Sequence, residues 1–265
     1  MAELRFTILG CGSSGGVPRL GGNWGVCDPN NPRNKRGRCS LLIQRFENDG
    51  VTSVLIDTSP DMRSQLLDAQ VGELDAVVYT HEHADHLHGL DDLRMIVIAM
   101  KRRLPVYAGP RTREMILGRF NYAFETPMGS PYPPILDMHD LGAELNVDGA
   151  GGQIKITTFD VEHGNIDVRA IRVNDVLYTP DISALMGNPD HDLANLDTWI
   201  LDSLRYTQHP SHINVEQALE WIAKYQPKNA ILTNLHIDLD YDTLQGETPA
   251  HVTPAYDGMQ ISLKV

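Results

Sequence analysis

A layered α/β or α+β core is the fold class this sequence predicts. Short apolar runs of strand length recur along the chain, helical patterns fall between several of them, and no linker or charge block interrupts the series. A chain of 265 residues suffices for one large domain with a substantial core or for two small ones, and a single domain spanning 1–265 is expected.

In chain order, strands are expected at residues 4–9, 40–44, 51–56, 76–79, 105–108, 154–159, 168–173, 176–178, 198–201, 230–233 and 260–263. Ser59 can cap a helix over residues 60–67, with Pro60 at the first helical position. After Gly89, the spacing of Leu90, Leu93, Ile96, Val97 and Met100 puts one apolar face on a helix. Asn214 and Gln217 read as a capping box for residues 215–224. The polar stretch 23–38 and the Pro-rich stretch 126–134 read as long loops, and long loops in a compact domain tend to be functional.

The formal charge of −13 gives a field that repels polyanions, whereas a nucleic-acid binder usually carries a basic stripe. Long nucleic acid is therefore not an expected partner. Two positive patches stand out, Arg33-Asn34-Lys35-Arg36-Gly37-Arg38 and Lys101-Arg102-Arg103. The second reads as a solvated turn, while the first could attract one small phosphate. Three cysteines (Cys11, Cys27, Cys39) do not make a disulfide framework in a chain this long. The opening residues lack a charged leader followed by an apolar stretch, and no run reaches membrane-span length, so a soluble, cytoplasmic protein with no membrane partner is expected.

The chemistry is concentrated in Thr80-His81-Glu82-His83-Ala84-Asp85-His86-Leu87-His88-Gly89, directly after the apolar residues 76–79. A turn at the end of a strand presents His81, His83, Asp85 and His86 to one cleft from different directions. Imidazole suits zinc-, iron- and manganese-type ions, and a carboxylate adds a hard oxygen. Four ligands in one turn exceed what one ion needs from one segment, as a two-metal hydrolytic centre would require. A solvated loop without metal is the bland alternative; its position at the end of a buried strand favours a site.

Thr80 to Gly89 resembles the THxHxDHxxG signature of the metallo-β-lactamase fold. Further matches follow in order: Gly10-Cys11-Gly12-Ser13-Ser14-Gly15-Gly16-Val17-Pro18, Ile56-Asp57, Glu162-His163-Gly164, Tyr178-Thr179-Pro180-Asp181 and Thr233-Asn234-Leu235-His236. The opening loop, Asp28-Pro29 to Arg38, His212 and Ala255-Tyr256-Asp257-Gly258-Met259 are similar to the PhnP-like branch, whose enzymes hydrolyse cyclic phosphodiesters in phosphonate metabolism and are cousins of tRNase Z. The resemblance implies a four-layer αββα sandwich and two divalent ions, Mn²⁺ or Zn²⁺. It also implies that His81, His83 and His163 hold one ion, that Asp85, His86 and His236 hold the other, and that Asp181 bridges them.

His212 matches the family's catalytic His and is the candidate general acid, with His209 as its competitor, so His212, Asp85 and Asp181 are the expected catalytic residues. Asp57 is the candidate to hold a ligand imidazole by its other ring N–H, with capping of the following helix as the alternative; Asp202 carries the same ambiguity. Ser13 and Ser14, in a glycine loop whose N–H groups could meet a phosphate, and His139, beside the Pro-rich loop, are candidate substrate contacts. His88, His191 and His251 have no assigned role.

Two departures stand out. Family members often carry a structural zinc on clustered cysteines and a late His, but here Gly21-Gly22-Asn23-Trp24-Gly25-Val26-Cys27 keeps one Cys and His236-Ile237-Asp238-Leu239-Asp240 has no second His. No structural zinc is expected. The family often reads Thr-His where this chain has Thr233-Asn234, so His236 is taken as the ligand through a local shift.

The resulting expectation is a metal-dependent phosphodiesterase acting on a small cyclic or nucleotide-like phosphodiester. The alternatives are a tRNase Z-like nuclease, a thioester or lactam hydrolase, and a non-catalytic metal or nucleotide sensor. A homodimer is left open.

Overall fold

The computed structural model describes residues 2–265. The chain divides into two compact units, one made of the chain up to Leu9, Ser40–Lys155 and Gln260–Val265, the other of Gly10–Cys39 and Ile156–Met259.

In the first unit, strands β1 (Glu3–Gly10), β2 (Ser40–Glu47), β3 (Gly50–Ile56), β4 (Ala76–Val78), β5 (Leu104–Ala108) and β6 (Leu136–Asp140) join the last strand, β15 (Met259–Lys264), in one sheet. Its order is β15-β1-β2-β3-β4-β5-β6. Pairing is antiparallel between β2 and β3 and parallel from β3 through β6. The β2–β3 hairpin runs further than the apolar pattern predicts, because Asn48 (φ 49°) and Asp49 (φ 65°) make a two-residue turn with both residues left-handed. Helices α1 (Met62–Asp68), α2 (Ala84–Leu87), α3 (Leu93–Met100) and α4 (Pro110–Phe124) and strand β7 (Glu144–Val147) belong to the same unit.

Helix α1 begins later than the sequence predicts. Ser59 Oγ still accepts the Asp61 N–H at 3.1 Å, so the hydroxyl turns the chain into the helix without being its cap. The expected apolar face after Gly89 is present: Leu90, Leu93, Ile96 and Val97 are buried in a core shared with Leu55, Val77 and Val106. Each such side chain contributes about 1.5–3 kcal/mol on burial.

The second unit holds strands β8 (Ile154–His163), β9 (Ile166–Val173), β10 (Val176–Thr179), β11 (Ala184–Leu185), β12 (Thr198–Asp202), β13 (Asn229–Thr233) and β14 (Val252–Pro254), in the order β11-β8-β9-β10-β12-β13-β14. β8–β9 and β9–β10 are antiparallel, whereas β10, β12, β13 and β14 run parallel. Parallel neighbours need crossovers. Helices α5 (Pro189–Asp192), α6 (Val215–Tyr225) and α7 (Tyr241–Glu247) lie in the connecting segments. The Asn214–Gln217 capping box forms as expected at the start of α6, an arrangement contributing about 1 kcal/mol. Behind it, Val215, Ala218 and Ile222 pack into a core around Trp199 and Leu232. No helix among the described residues is long and apolar enough to cross a membrane.

Candidate metal centre

Parallel pairing of β3 with β4 sets Ile56 opposite Val78, so the residues just beyond both strands leave the sheet side by side. Asp57 there is fully buried, with a left-handed backbone (φ 61°). Its Oδ1 accepts the Thr80 N–H at 2.8 Å and its Oδ2 accepts the Thr80 hydroxyl at 2.8 Å. The same Oδ2 lies 2.8 Å from His86 Nδ1. Burial raises the Asp57 carboxyl above the ordinary aspartate value, while His86 and Thr80 oppose the rise. With Nδ1–H given to Asp57, His86 has Nε2 to offer a cation, and that nitrogen lies 3.6 Å from Asp85 Oδ2.

The His81 ring centroid is 4.6 Å from that of His83 and 4.3 Å from that of His86. The structure thus brings the four expected donors of the motif together. Two backbone clamps fix the turn: Thr58 N–H donates to the His86 carbonyl at 2.8 Å, and Gly89 N–H to the Thr58 carbonyl at 2.9 Å. A β-carbon at Gly89 would stand 2.1 Å from the Ser59 carbonyl oxygen, which is why the motif ends in glycine. Glu82, which the sequence reading left without a role, is also buried. Arg111 Nε at 2.5 Å and the Thr112 hydroxyl at 3.1 Å donate to its carboxylate, and Arg119 donates to its carbonyl at 2.8 Å. All three partners ride on α4.

In the second unit, parallel strands again end together, with Thr179 opposite Leu201 and Asp202 opposite Thr233. Loops at such strand ends are where open α/β sheets bind ligands. One ligand atom from each of His163, Asp181 and His212 lies within 4.8 Å of the others. His163 Nδ1 donates to the Ser211 carbonyl at 2.6 Å, so Nε2 is the nitrogen that would serve as a ligand atom. His212 Nδ1 donates to Asp202 Oδ2 at 2.8 Å and lies 3.6 Å from Asp181 Oδ1. Ile182 N–H also donates to that Asp202 oxygen, at 3.1 Å, and burial raises the Asp202 carboxyl against the pull of His212. Asn234, at φ 60°, donates its amide to Asp181 Oδ1 at 3.1 Å.

His236 is placed differently. Its Nδ1 is 2.9 Å from Asp238 Oδ2, and its Nε2 meets the Arg19 guanidinium. Burial, outweighing Asp238, pushes the imidazole below its ordinary value. Arg19 must withdraw before this nitrogen can serve a cation. His209 accepts the Ser211 N–H at Nδ1, 3.3 Å away, beside the His212 ring.

The candidate substrate contacts differ in their surroundings. Ser13 is buried, and its N–H donates to the Leu235 carbonyl at 3.2 Å. Ser14 is exposed. His139 lies in β6, which follows the Pro-rich loop, and its ring stacks on Tyr107 at 5.1 Å. Cys27 packs with Val17 and Ile237 against Trp24.

Among the positioning groups, Thr80, Glu82, Asn234, Ser211 and Arg19 were given no role from the sequence. Thr80 and Glu82 had a signal in their place inside the motif, and Asn234 in standing where similar sequences often carry His. Ser211 acts through its carbonyl, which no side-chain pattern can reveal.

Imidazoles and carboxylates anchored at strand ends suit divalent metal binding, and the class they define is a metallo-hydrolase. Residues 52–237 match the beta-lactamase superfamily domain, and the chain belongs to that superfamily, in its PhnP-like branch. The crystal structure of a new diphosphatase from the PhnP family is similar with a TM-score of 0.86 and 30% identity, over 99% of this chain and 98% of that one. The metallo-beta-lactamase fold protein YhfI of Bacillus subtilis matches with a TM-score of 0.72 and 20% identity over 99% of this chain and all of its own, a likeness of fold alone. An octanoyltransferase of Porphyromonas gingivalis (strain ATCC BAA-308 / W83) is 33% identical over 262 residues, 97% of this chain but 51% of that protein. The chain therefore spans about half the length of that relative.

Proposed function

We propose that the protein is a metal-dependent phosphodiesterase, acting as one hydrolase domain on small cyclic or nucleotide-like phosphodiesters. The observation that carries this reading is His212, whose Nδ1 is held by buried Asp202 while its ring lies 4.5 Å from that of His163. A proton donor built in among ligands meets the need of a diester, whose alkoxide leaving group requires protonation.

On this reading His81, His83, Asp85, His86, His163, Asp181 and His236 would hold two divalent ions, manganese or zinc, since imidazole and carboxylate donors suit such cations. Such ions supply a water of lowered pKa and neutralise phosphate charge. The protein's part is positional. Asp57 and the Ser211 carbonyl fix the tautomers of His86 and His163 by accepting their Nδ1 protons. Asn234 orients Asp181. His212 presents Nε2–H to the departing oxygen, and Asp202 stabilises the charged imidazolium that precedes the transfer. Ser13, Ser14 and His139 remain the proposed substrate contacts.

Bis(p-nitrophenyl) phosphate and a panel of cyclic phosphodiesters, offered to protein stripped and reloaded with Mn²⁺ or Zn²⁺, test this reading. Metal-dependent turnover supports it; silence toward every diester removes it. Thioester hydrolysis is the second reading, favoured by the name of the octanoyltransferase relative, and an acyl thioester in the same panel distinguishes the two.

A further inference from the structure

Helix α4 leads away from its contacts with Glu82 to a separate pocket of about 410 Å³. Arg94, Tyr122, Pro127, Ser130, Tyr132 and Pro133 line it. About 16 Å of helix, at 1.5 Å per residue, separates Arg111 from Tyr122. A ring relay marks the same route, since His88 of the motif meets Phe120 at 5.9 Å and Phe120 meets Tyr122 at 6.4 Å.

Three features say what this pocket can hold. Tyr132 is 71% exposed, and among the described residues its ring has no aromatic or cationic partner. Arg94 is half-buried and makes no hydrogen bond or ion pair among the described residues, in a chain of net charge −13 where carboxylates outnumber cations. Ser130 Oγ accepts the Tyr132 N–H at 3.2 Å, which leaves its proton to donate. Tyr122 is fixed on the other side by both oxygens of Asp91 at 2.6 Å.

A bare phosphate would call for several cations, and among the lining residues named Arg94 is the one cation, with the Asp91 carboxylate on Tyr122 nearby. An aliphatic chain would call for walls free of charge. Unpartnered tyrosine, guanidinium plane, rigid prolines and a hydroxyl donor suit a flat ring bearing hydrogen-bond acceptors.

We propose that this pocket receives the base of a nucleotide-like substrate, with the ring stacked on Tyr132 and its acceptors met by Arg94 and Ser130. The consequence for turnover rests on the phosphodiesterase reading; binding of the base does not.

Equilibrium binding of adenosine 5′-monophosphate and of ribose 5-phosphate to the full chain separates base from sugar phosphate. The wild-type protein is expected to bind the nucleotide about tenfold more tightly. Tyr132→Ala and Arg94→Ala are each expected to bring it down to the ribose 5-phosphate level, while Tyr132→Phe keeps the preference. Equal affinities in the wild type, or a preference that survives both alanine variants, overturn the proposal. Hydrolysis of 2′,3′-cyclic AMP alongside a base-free cyclic phosphodiester locates any failure. Turnover of both without preference sinks the pocket alone; no turnover of either, with the binding preference intact, sinks the phosphodiesterase reading and leaves the pocket.

Discussion

Asp57 Oδ2 and His86 Nδ1 stand 2.8 Å apart with both side chains closed to water, so the carboxylate sets which imidazole nitrogen is available. Replacing Asp57 by Asn keeps a residue that tolerates the left-handed backbone but removes the charge. Metal affinity is expected to fall about 10–100-fold. Competition with a chromophoric chelator measures this, and unchanged affinity would show that the pair serves only the fold.

Arg111 and Glu82 form a second such pair, with side chains 63% and 4% exposed. Arg111→Ala leaves a buried carboxylate with less compensation, an expected loss of about 1–3 kcal/mol. Thermal unfolding should show a midpoint lowered by a few degrees. Adding Glu82→Gln to that variant should recover part of the loss, since the amide carries no charge to leave unpaired.

His212→Ala distinguishes acid from ligand. As the acid, its loss lowers kcat about 10²–10⁴-fold for an alkyl leaving group. The effect should be much smaller for p-nitrophenolate, which departs without a proton. Metal content by elemental analysis should be unchanged; loss of metal would make His212 a ligand instead.

Asp257 accepts N–H bonds from Cys11 at 3.1 Å and Gly37 at 2.6 Å. Burial nevertheless raises its carboxyl to about 6 from 3.8. The folded state thus holds a proton that the unfolded chain has already lost. This contribution to stability is present in full below about pH 4 and disappears as pH rises through about 6, a change of about 3 kcal/mol. Denaturant midpoints measured between those values should fall for the wild type, and Asp257→Asn should flatten that component of the slope.

The sequence carried the metal motif and most of the core, because both leave strong local patterns. Leu90, Leu93, Ile96 and Val97 announce their buried face by spacing alone. Helix α4 is a different case. Pro110 at its start is a helix signal, but Gly118 and the non-helical Phe120 (φ −128°) break the periodicity that identifies a helix of this length. Strand β6, Leu-Asp-Met-His-Asp, lies at the edge of its sheet and has no apolar run to betray it. The roles of Glu82 and Asn234 depend on partners far away in the sequence, Arg111 for one and Asp181 for the other. No local pattern encodes such pairs.

Residues 10–39 leave the first unit after β1, join the second, and hand the chain back at β2. The Ser13 N–H bond to the Leu235 carbonyl and the Val17 pairing with Arg36 belong to that excursion. A cut near residue 155 would therefore sever each unit from part of itself. A fragment ending there carries the opening loop without Leu235, and its complement carries Leu235 without the loop. Neither unit can be exchanged between homologues or lost by deletion as one contiguous block, so a frameshift in the middle of the chain should cost both units at once.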